Sequence, residues 1–161
     1  MNSFSRRSQF QVAEFRAIRY KEERSIPVDS ILGLYRYAPW AKGRNREDIQ
    51  IMLEQSDLVV SVWDHDRLVG FGRALTDRVY RANLYDIVVH PDYRRQGLGR
   101  SIVEFLLNHP LLAKVPVVSL FTRDKEDFYK KLGFVTNPQK GLKGMILVRG
   151  GEVYQETLQE E

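Results

Sequence analysis

The 161-residue chain contains no cysteine, which excludes disulfide bonds, thiolate metal sites and a cysteine nucleophile. No stretch approaches the ~18 consecutive apolar residues of a membrane-spanning helix. The start, MNSFSRRSQF, has no apolar run behind it, so it does not resemble a secretory signal. The histidines, His65, His90 and His109, are too far apart to form a metal-ligand spacing, and no metal is expected. With 43% apolar residues and a net charge of +4, residues 1–161 are predicted to form a single, mildly basic domain.

The most informative feature is a glycine-containing segment between a strand pattern and a helix pattern. Residues 84–89 (LYDIVV) form a mostly apolar run, and residues 98–108 carry apolar side chains at helical spacing. Between them lies RRQGLG, which places Gly97 and Gly99 where the helix begins. The first N–H groups of a helix lack intrahelical acceptors, the helix dipole is positive there, and glycine admits a ligand close to the backbone. Since arginines flank these glycines, the segment predicts an anion site, and phosphate is the usual anion.

Two common phosphate motifs do not fit this segment. No stretch matches the Walker loop G-x-x-x-x-G-K-[ST], and the dinucleotide fingerprint G-x-G-x-x-G lacks its third glycine, where Ile102 stands. The order [R/Q]-x-x-G-x-[G/A], after an apolar strand that ends in His90-Pro91, instead resembles the acetyl-CoA signature of the GNAT family, the GCN5-related N-acetyltransferases. The string VVHPDYRRQGLGRSIVEFLL carries this resemblance. It implies transfer of an acetyl group from acetyl-CoA to a primary amine.

Periodicity and turn signals predict the element order β-α-α-β-β-β-α-β-α-β. Strands are predicted at 15–20, 58–63, 68–75, 84–89, 115–121 and 145–148, with one more short strand near 134–136, and helices at about 28–35, 46–53, 98–108 and 128–132. This order indicates a mixed α/β fold with one central sheet and flanking helices. The resemblance covers about residues 14–149. It implies that the fourth and fifth strands splay apart and that the pantetheine arm pairs with the fourth strand in the gap.

The same resemblance assigns residues to the cofactor. The implied contacts are Ile87, Val88 and Val89 with pantetheine, and Arg94, Arg95, Gln96, Gly97, Leu98, Gly99, Arg100 and Ser101 with the pyrophosphate. Many relatives also have an asparagine before the helix that follows the fifth strand. Here that segment reads TRDK, and Asp124 takes the place of the asparagine, either as the helix cap, which is favoured, or as a cofactor contact.

Acetyl transfer to an amine requires a neutral amine, stabilisation of the thioester oxygen and assistance to the departing thiolate. Without cysteine, direct attack in a ternary complex is the simplest scheme. The candidate acid is Tyr129 in DFYKKLGF, a segment that resembles the FYxxxGF sequence of many GNAT enzymes. In those enzymes the tyrosine hydroxyl faces the CoA sulfur. The alternative is a tyrosine at the edge of the core.

The candidate base is Asp86, which interrupts an apolar strand. A buried carboxylate is costly unless it is paired or protonated, so its presence requires an explanation. Burial would raise its pKa and make it a better base. The alternative is a salt bridge to a nearby arginine such as Arg73 or Arg81. Strand alternation places Asn83 and Tyr85 on the face opposite Asp86.

Further segments resemble the small cyanobacterial and plastid branch of the family, which includes plant serotonin N-acetyltransferase. These are APW at 38–40, LVVSVW at 58–63 and GLKGM at 141–145. Trp40 and Tyr85 are candidates to stack an aromatic amine, or are core aromatics, and Trp63 is expected in the core.

Two other functions are compatible with parts of the sequence. One is a CoA-binding sensor or interaction module without catalysis, against which Tyr129 argues. The other is nucleic-acid binding, which is disfavoured because no aromatic residues interleave with the arginine cluster. The expected acceptor is a small arylalkylamine such as serotonin, or a protein lysine or N-terminal amine. No membrane association is expected, assembly as a homodimer stays open, and the expected location is the cytoplasm, or the plastid stroma for a plastid-encoded chain.

Overall fold

The computed structural model describes residues 18–136, which form one five-stranded sheet with helices packed against both faces. The strands are β1 (Ile18–Lys21), β2 (Leu58–Asp64), β3 (Arg67–Thr76), β4 (Arg81–Val89) and β5 (Val117–Ser119). The α-helices are α1 (Val28–Tyr35), α2 (Arg46–Gln55), α3 (Leu98–Asn108) and α4 (Glu126–Lys130). No helix in this part of the chain is long and apolar enough to cross a bilayer.

The sheet is mixed, as the sequence predicted. Strands β1 to β4 pair in antiparallel fashion with their chain neighbours, whereas β5 runs parallel to β4. The β4–β5 pairing includes only the first three residues of β4, which are Arg81, Ala82 and Asn83. Within residues 18–136 the remaining edge of β4, residues 84–89, has no strand partner on the β5 side. The predicted splay between the fourth and fifth strands is therefore confirmed, and we call this space the β4–β5 gap.

Two apolar layers hold the sheet between its helices. Helix α3 buries Leu98, Ile102 and Leu106 against one face, while α1 and α2 cover the other. Gly72 on β3 lets α3 approach closely, because a Cβ there would lie 2.6 Å from Cγ2 of Ile102. The start of α3 is thereby fixed next to the end of β4.

A β-bulge interrupts β4 opposite Gly72. Phe71 pairs with Val88 and Arg73 pairs with Tyr85, so that two residues of β4 face a single residue of β3. Asp86 has a φ of +57°, in the left-handed region that aspartate tolerates better than most residues. The bulge shifts the alternation by one residue and places Asp86 on the same face as Tyr85, where both contact Arg73. The prediction that they face opposite ways is therefore wrong.

The boundaries of the helices agree with local sequence signals more closely than the boundaries of the short strands do. Asn45 caps α2, because its side-chain oxygen accepts a hydrogen bond from the Asp48 N–H at 2.9 Å. Helix α4 starts and ends two residues earlier than the predicted 128–132, and Gly133, predicted to end the helix, closes the turn that follows it with a φ of +91°. Strand β5 is shorter than the predicted 115–121, and residues 134–136 are not a strand. The strand predicted at 145–148 lies outside the described residues, as do both limits of the predicted 14–149 core.

Candidate active site

The first turn of α3 presents unpaired backbone donors. Gly97 precedes the helix with a φ of +83°, and the Ser101 N–H donates to the Gly97 carbonyl at 2.9 Å, closing the first helical turn. The N–H groups of residues 98–100 consequently lack intrahelical acceptors. They make no other hydrogen bond within the described chain, so they are available to an anion.

Three elements converge at this turn. A Cβ on Gly99 would lie 3.5 Å from Cζ of Phe128 on α4 and 3.8 Å from Cγ2 of Val89 at the end of β4. A Cβ on Gly97 would have no atom of residues 18–136 within 4 Å, so this position is open on the described surface. The predicted anion site therefore lies beside the β4–β5 gap and beside the helix that carries Tyr129.

The arginines around the first turn of α3 differ in how available they are to bind a phosphate. Arg94 donates from Nε to the Val89 carbonyl at 3.1 Å and from Nη2 to the Tyr37 carbonyl at 3.4 Å, so it joins this loop to the α1–α2 segment. Arg100 forms an exposed ion pair with Glu104 at 2.7 Å, which offsets part of its charge. Arg95 is exposed and has a φ of +59°.

Tyr129 lies on α4 with its ring edge-on to Phe128 and Phe134, at centroid distances of 4.9 and 5.7 Å. It packs against the apolar layer on the α3 side of the sheet. Burial raises the pKa of Tyr129 to about 12, so its hydroxyl is protonated at neutral pH. That hydroxyl has no hydrogen-bond acceptor within residues 18–136 and is available as a donor.

Asp124 does not cap α4, so the favoured interpretation is wrong. Its carboxylate is exposed and pairs with Lys125 Nζ at 2.7 Å, and this hydrogen bond lowers the pKa of Asp124. Lys125 occupies the cap position, and its N–H donates to Thr122 Oγ1 at 3.1 Å. Thr122 therefore supplies the acceptor that was predicted to be Asp124. The predicted contact of Asp124 with the cofactor stays a prediction.

Asp86 is the centre of a charged cluster. Arg44 donates to both carboxylate oxygens, from Nη1 to Oδ2 at 2.8 Å and from Nη2 to Oδ1 at 3.0 Å. Arg73 Nε donates to Oδ2 at 2.7 Å, and the Tyr35 hydroxyl donates to the same oxygen at 3.0 Å. The predicted ion pair with Arg73 is confirmed, whereas Arg81 is not a partner. Arg44 and Tyr35 were missed because they lie 42 and 51 residues away in sequence, with no local pattern linking them to the strand.

These contacts determine the ionisation of the cluster. Burial alone would raise the pKa of Asp86, but the hydrogen bond from Arg44 and the charges of Arg73 and Arg44 lower it below its ordinary value. Burial and the neighbouring Asp86 charge raise the pKa of Tyr35, which therefore remains a hydrogen-bond donor. The expected rise in the pKa of Asp86 is thus wrong, and a fully occupied carboxylate is poorly suited to remove a proton at neutral pH.

Asp86→Asn should lower the free energy of unfolding by about 3 kcal/mol at pH 7, because it leaves two arginines with a weaker partner. Asparagine also tolerates positive φ, so backbone strain should not contribute. The folded-state pKa of Asp86 is depressed, so its stabilisation is complete above the unfolded value of ~4 and is lost as pH falls through the folded value. Urea denaturation from pH 7 downward should show the two proteins converging in acid. Unchanged stability with lost turnover would restore the base assignment.

Two aromatic residues border this cluster. Trp40 is 44% exposed, so the core alternative is wrong for it, and the Arg44 guanidinium lies 5.0 Å from its ring centroid. The Arg73 guanidinium lies 4.8 Å from the centroid of the Tyr85 ring. Trp63 is 7% exposed and lies in the core as expected. Trp40 and Tyr85 thus lie beside Arg44 and Arg73, respectively, next to the bulge in β4.

Comparison with known proteins identifies the family. A model of the acetyltransferase (GNAT) domain matches residues 55–136. An uncharacterized N-acetyltransferase, ycf52, of Pyropia yezoensis is 33% identical over 138 residues, which are 83% of this chain and 78% of that relative. GCN5-related N-acetyltransferase 2, chloroplastic, of Arabidopsis thaliana is 40% identical over 81 residues, or 50% of this chain and 31% of that longer protein.

A solved structure supports the same assignment. A GNAT family acetyltransferase of Streptococcus pneumoniae superposes with a TM-score of 0.69 at 27% identity, covering 82% of this chain and 98% of that one. The relatives confirm the resemblance to the small plastid and cyanobacterial branch. With its mixed sheet, its splayed fourth strand and the open first turn of α3, the chain belongs to the GNAT family and is an N-acetyltransferase.

Proposed function

We propose that the chain transfers the acetyl group of acetyl-CoA to a primary amine by direct attack in a ternary complex. The observation that supports this most strongly is the edge of β4 at residues 84–89, which has no strand partner on the β5 side within residues 18–136 and leads directly to the open first turn of α3. Pantetheine amides would pair with the backbone of Ile87, Val88 and Val89 as an added strand. The pyrophosphate would accept hydrogen bonds from the N–H groups of residues 98–100.

Tyr129 is the proposed donor to the leaving sulfur. Its helix contacts the first turn of α3 through Phe128, and its protonated hydroxyl has no acceptor in the described chain. The attacking amine must be neutral, and an alkylamine pKa near ~10 leaves only a small neutral fraction at pH 7. Because Asp86 is ionised and fully hydrogen-bonded, we assign it no role in removing that proton.

The proposed acceptor is an arylalkylamine such as serotonin, or a protein lysine or N-terminal amine. The exposed ring of Trp40 and the neighbouring Tyr85 support an acceptor with an aromatic or extended apolar part. The plastid stroma is the proposed location for a plastid-encoded chain, and the cytoplasm otherwise. The chloroplastic relative supports the first of these.

The test is a panel of amines and lysine peptides, each incubated with the purified chain and acetyl-CoA. An amine that is a substrate should give acetylated product and free CoA thiol in equal amounts. Thiol release is read by a colorimetric reagent and the product by mass. A reaction without amine is the control for hydrolysis. If CoA binds but no amine in the panel is acetylated, the non-catalytic module is favoured, and absence of CoA binding would overturn the proposal as a whole.

A further inference from the structure

The charged cluster at the β4 bulge carries more positive than negative charge. The guanidinium pair of Arg44 and Arg73 shares the carboxylate of Asp86, and within residues 18–136 no other acidic side chain forms an ion pair with either arginine. Oδ2 of Asp86 already accepts from both arginines and from Tyr35, and Oδ1 accepts from Arg44. The carboxylate is therefore fully used while one positive charge is left without a counterion.

This excess charge is partly withdrawn from water. The side chains of Arg73 and Arg44 are 13% and 33% exposed, and that of Asp86 is 5% exposed. Each guanidinium has five N–H donors, and the contacts with Asp86, Tyr35 and Ser56 occupy only part of them. A half-buried cation with spare donors gains most from an anion that fits its planar fork.

The position of the guanidinium pair places it beside the proposed reaction. Asp86 directly precedes Ile87, where pantetheine would begin to pair with β4. The segment that carries Arg44 also contacts the anion loop, because Arg94 donates to the Tyr37 carbonyl at 3.4 Å. The pair therefore lies on the strand that would hold pantetheine and on a segment that contacts the loop preceding α3.

Aromatic rings define the two sides of this position. Arg44 lies against the rings of Trp40 and Tyr35, at 5.0 and 5.1 Å from their centroids, and Arg73 lies against Tyr85. These contacts hold the guanidinium groups beside the rings, and Trp40, which is 44% exposed, is accessible to a flat or apolar group. The arrangement suits a molecule that combines an apolar body with an anionic end.

We propose that, among small aromatic acceptor amines, the guanidinium pair favours those that also carry a carboxylate, with the carboxylate on Arg44 and Arg73 and the apolar body against Trp40. The proposal rests on the proposed function, since it names the acceptor class of the same site. The carboxylate neutralises the unpaired charge of the cluster, and the amine at the other end of the molecule reaches toward the thioester.

The test compares 4-(aminomethyl)benzoate with 4-methylbenzylamine, which share the ring and the reactive amine and differ in the carboxylate. The wild-type chain should acetylate the benzoate with a kcat/KM about tenfold higher, which corresponds to one partly exposed charge-assisted contact. Arg44→Gln should bring the two values within about twofold, and Arg44→Lys should retain part of the preference. Arg36→Gln, which removes the same charge from an exposed position on the same segment, is the control and should keep the preference.

Equal wild-type kcat/KM values, or a preference for the neutral amine, would overturn the proposal whether or not Arg44→Gln folds. A preference that survives in folded Arg44→Gln would overturn the role of the pair. If neither amine is acetylated, the amine and peptide panel still tests the proposed function, and calorimetric binding of the two amines in the presence of CoA tests the inference separately. Tighter binding of the benzoate that depends on Arg44 supports it, and equal binding refutes it.

Discussion

Gly97→Asp should weaken CoA binding by about 100-fold, whereas Gly97→Asn should weaken it by less than about tenfold. Gly97 has a φ of +83°, and asparagine and aspartate are the side chains that tolerate this region best. No atom of the described residues lies within 4 Å of a Cβ built there, so both side chains fit against this part of the chain. They have the same shape and differ in charge, and the aspartate would lie beside the N–H groups proposed to hold the pyrophosphate.

Coulomb repulsion sets the size of this effect. Two like charges about 4 Å apart near a protein surface repel each other by about 4 kcal/mol. A 100-fold loss of affinity corresponds to about 2.7 kcal/mol, which is what we expect once solvent and salt have screened part of this repulsion. Calorimetric titration with CoA measures the difference in affinity between the two variants, and equal melting temperatures show that both are folded. The difference in affinity should shrink at high salt. Equal affinities of the two variants would show that the phosphate does not bind at the start of α3.

The parts of this fold that sequence predicts well are those with local causes. Apolar spacing gives α3 as 98–108, and the structure has Leu98–Asn108. Asn45 was identified as a cap because a side-chain acceptor placed before an amphipathic run satisfies a free N–H of the first turn. The turn that closes at Gly133 just after α4 reflects in the same way the need for a positive φ, although the helix itself ends at Lys130. Each of these causes acts within a few residues of the chain.

The surroundings of Asp86 could not be predicted because their causes are not local. The extra residue in β4 is recognised only once its pairing with β3 is known, and it reverses the face that simple alternation assigns. Arg44 reaches Asp86 from the α1–α2 segment, 42 residues earlier in the chain. A polar residue in an apolar strand indicated correctly that something unusual occurs there. Whether that was a base or a salt bridge depended on tertiary partners.

The position of Tyr129 allows a sharper statement about its chemistry than the sequence did. Its pKa of about 12 lies well above the ~8.5 of an ordinary thiol, so complete transfer of its proton to a free thiolate is unfavourable. A hydrogen bond donated to the sulfur as charge develops is favourable at any neutral pH. The proposed contribution of Tyr129 is therefore stabilisation of the leaving group in the transition state, in a partly buried position where such a donor is most effective.

Tyr129→Phe should lower kcat by ~10²-fold and leave the dissociation constant of acetyl-CoA almost unchanged. The ring remains between Phe128 and Phe134, so packing is kept, and only the donor to the sulfur is lost. Since a more acidic leaving thiol needs less stabilisation, the defect should diminish with an acyl donor of that kind. Tyr80→Phe, the same change at a 69% exposed turn residue, is the matched control and should leave kcat as it is.

Single-turnover acetylation at saturating acetyl-CoA separates the chemical step from product release. Wild-type kcat in Tyr129→Phe with ordinary acetyl-CoA would mean that the departing sulfur is stabilised by water or by another group, and α4 would then serve only to pack against the first turn of α3.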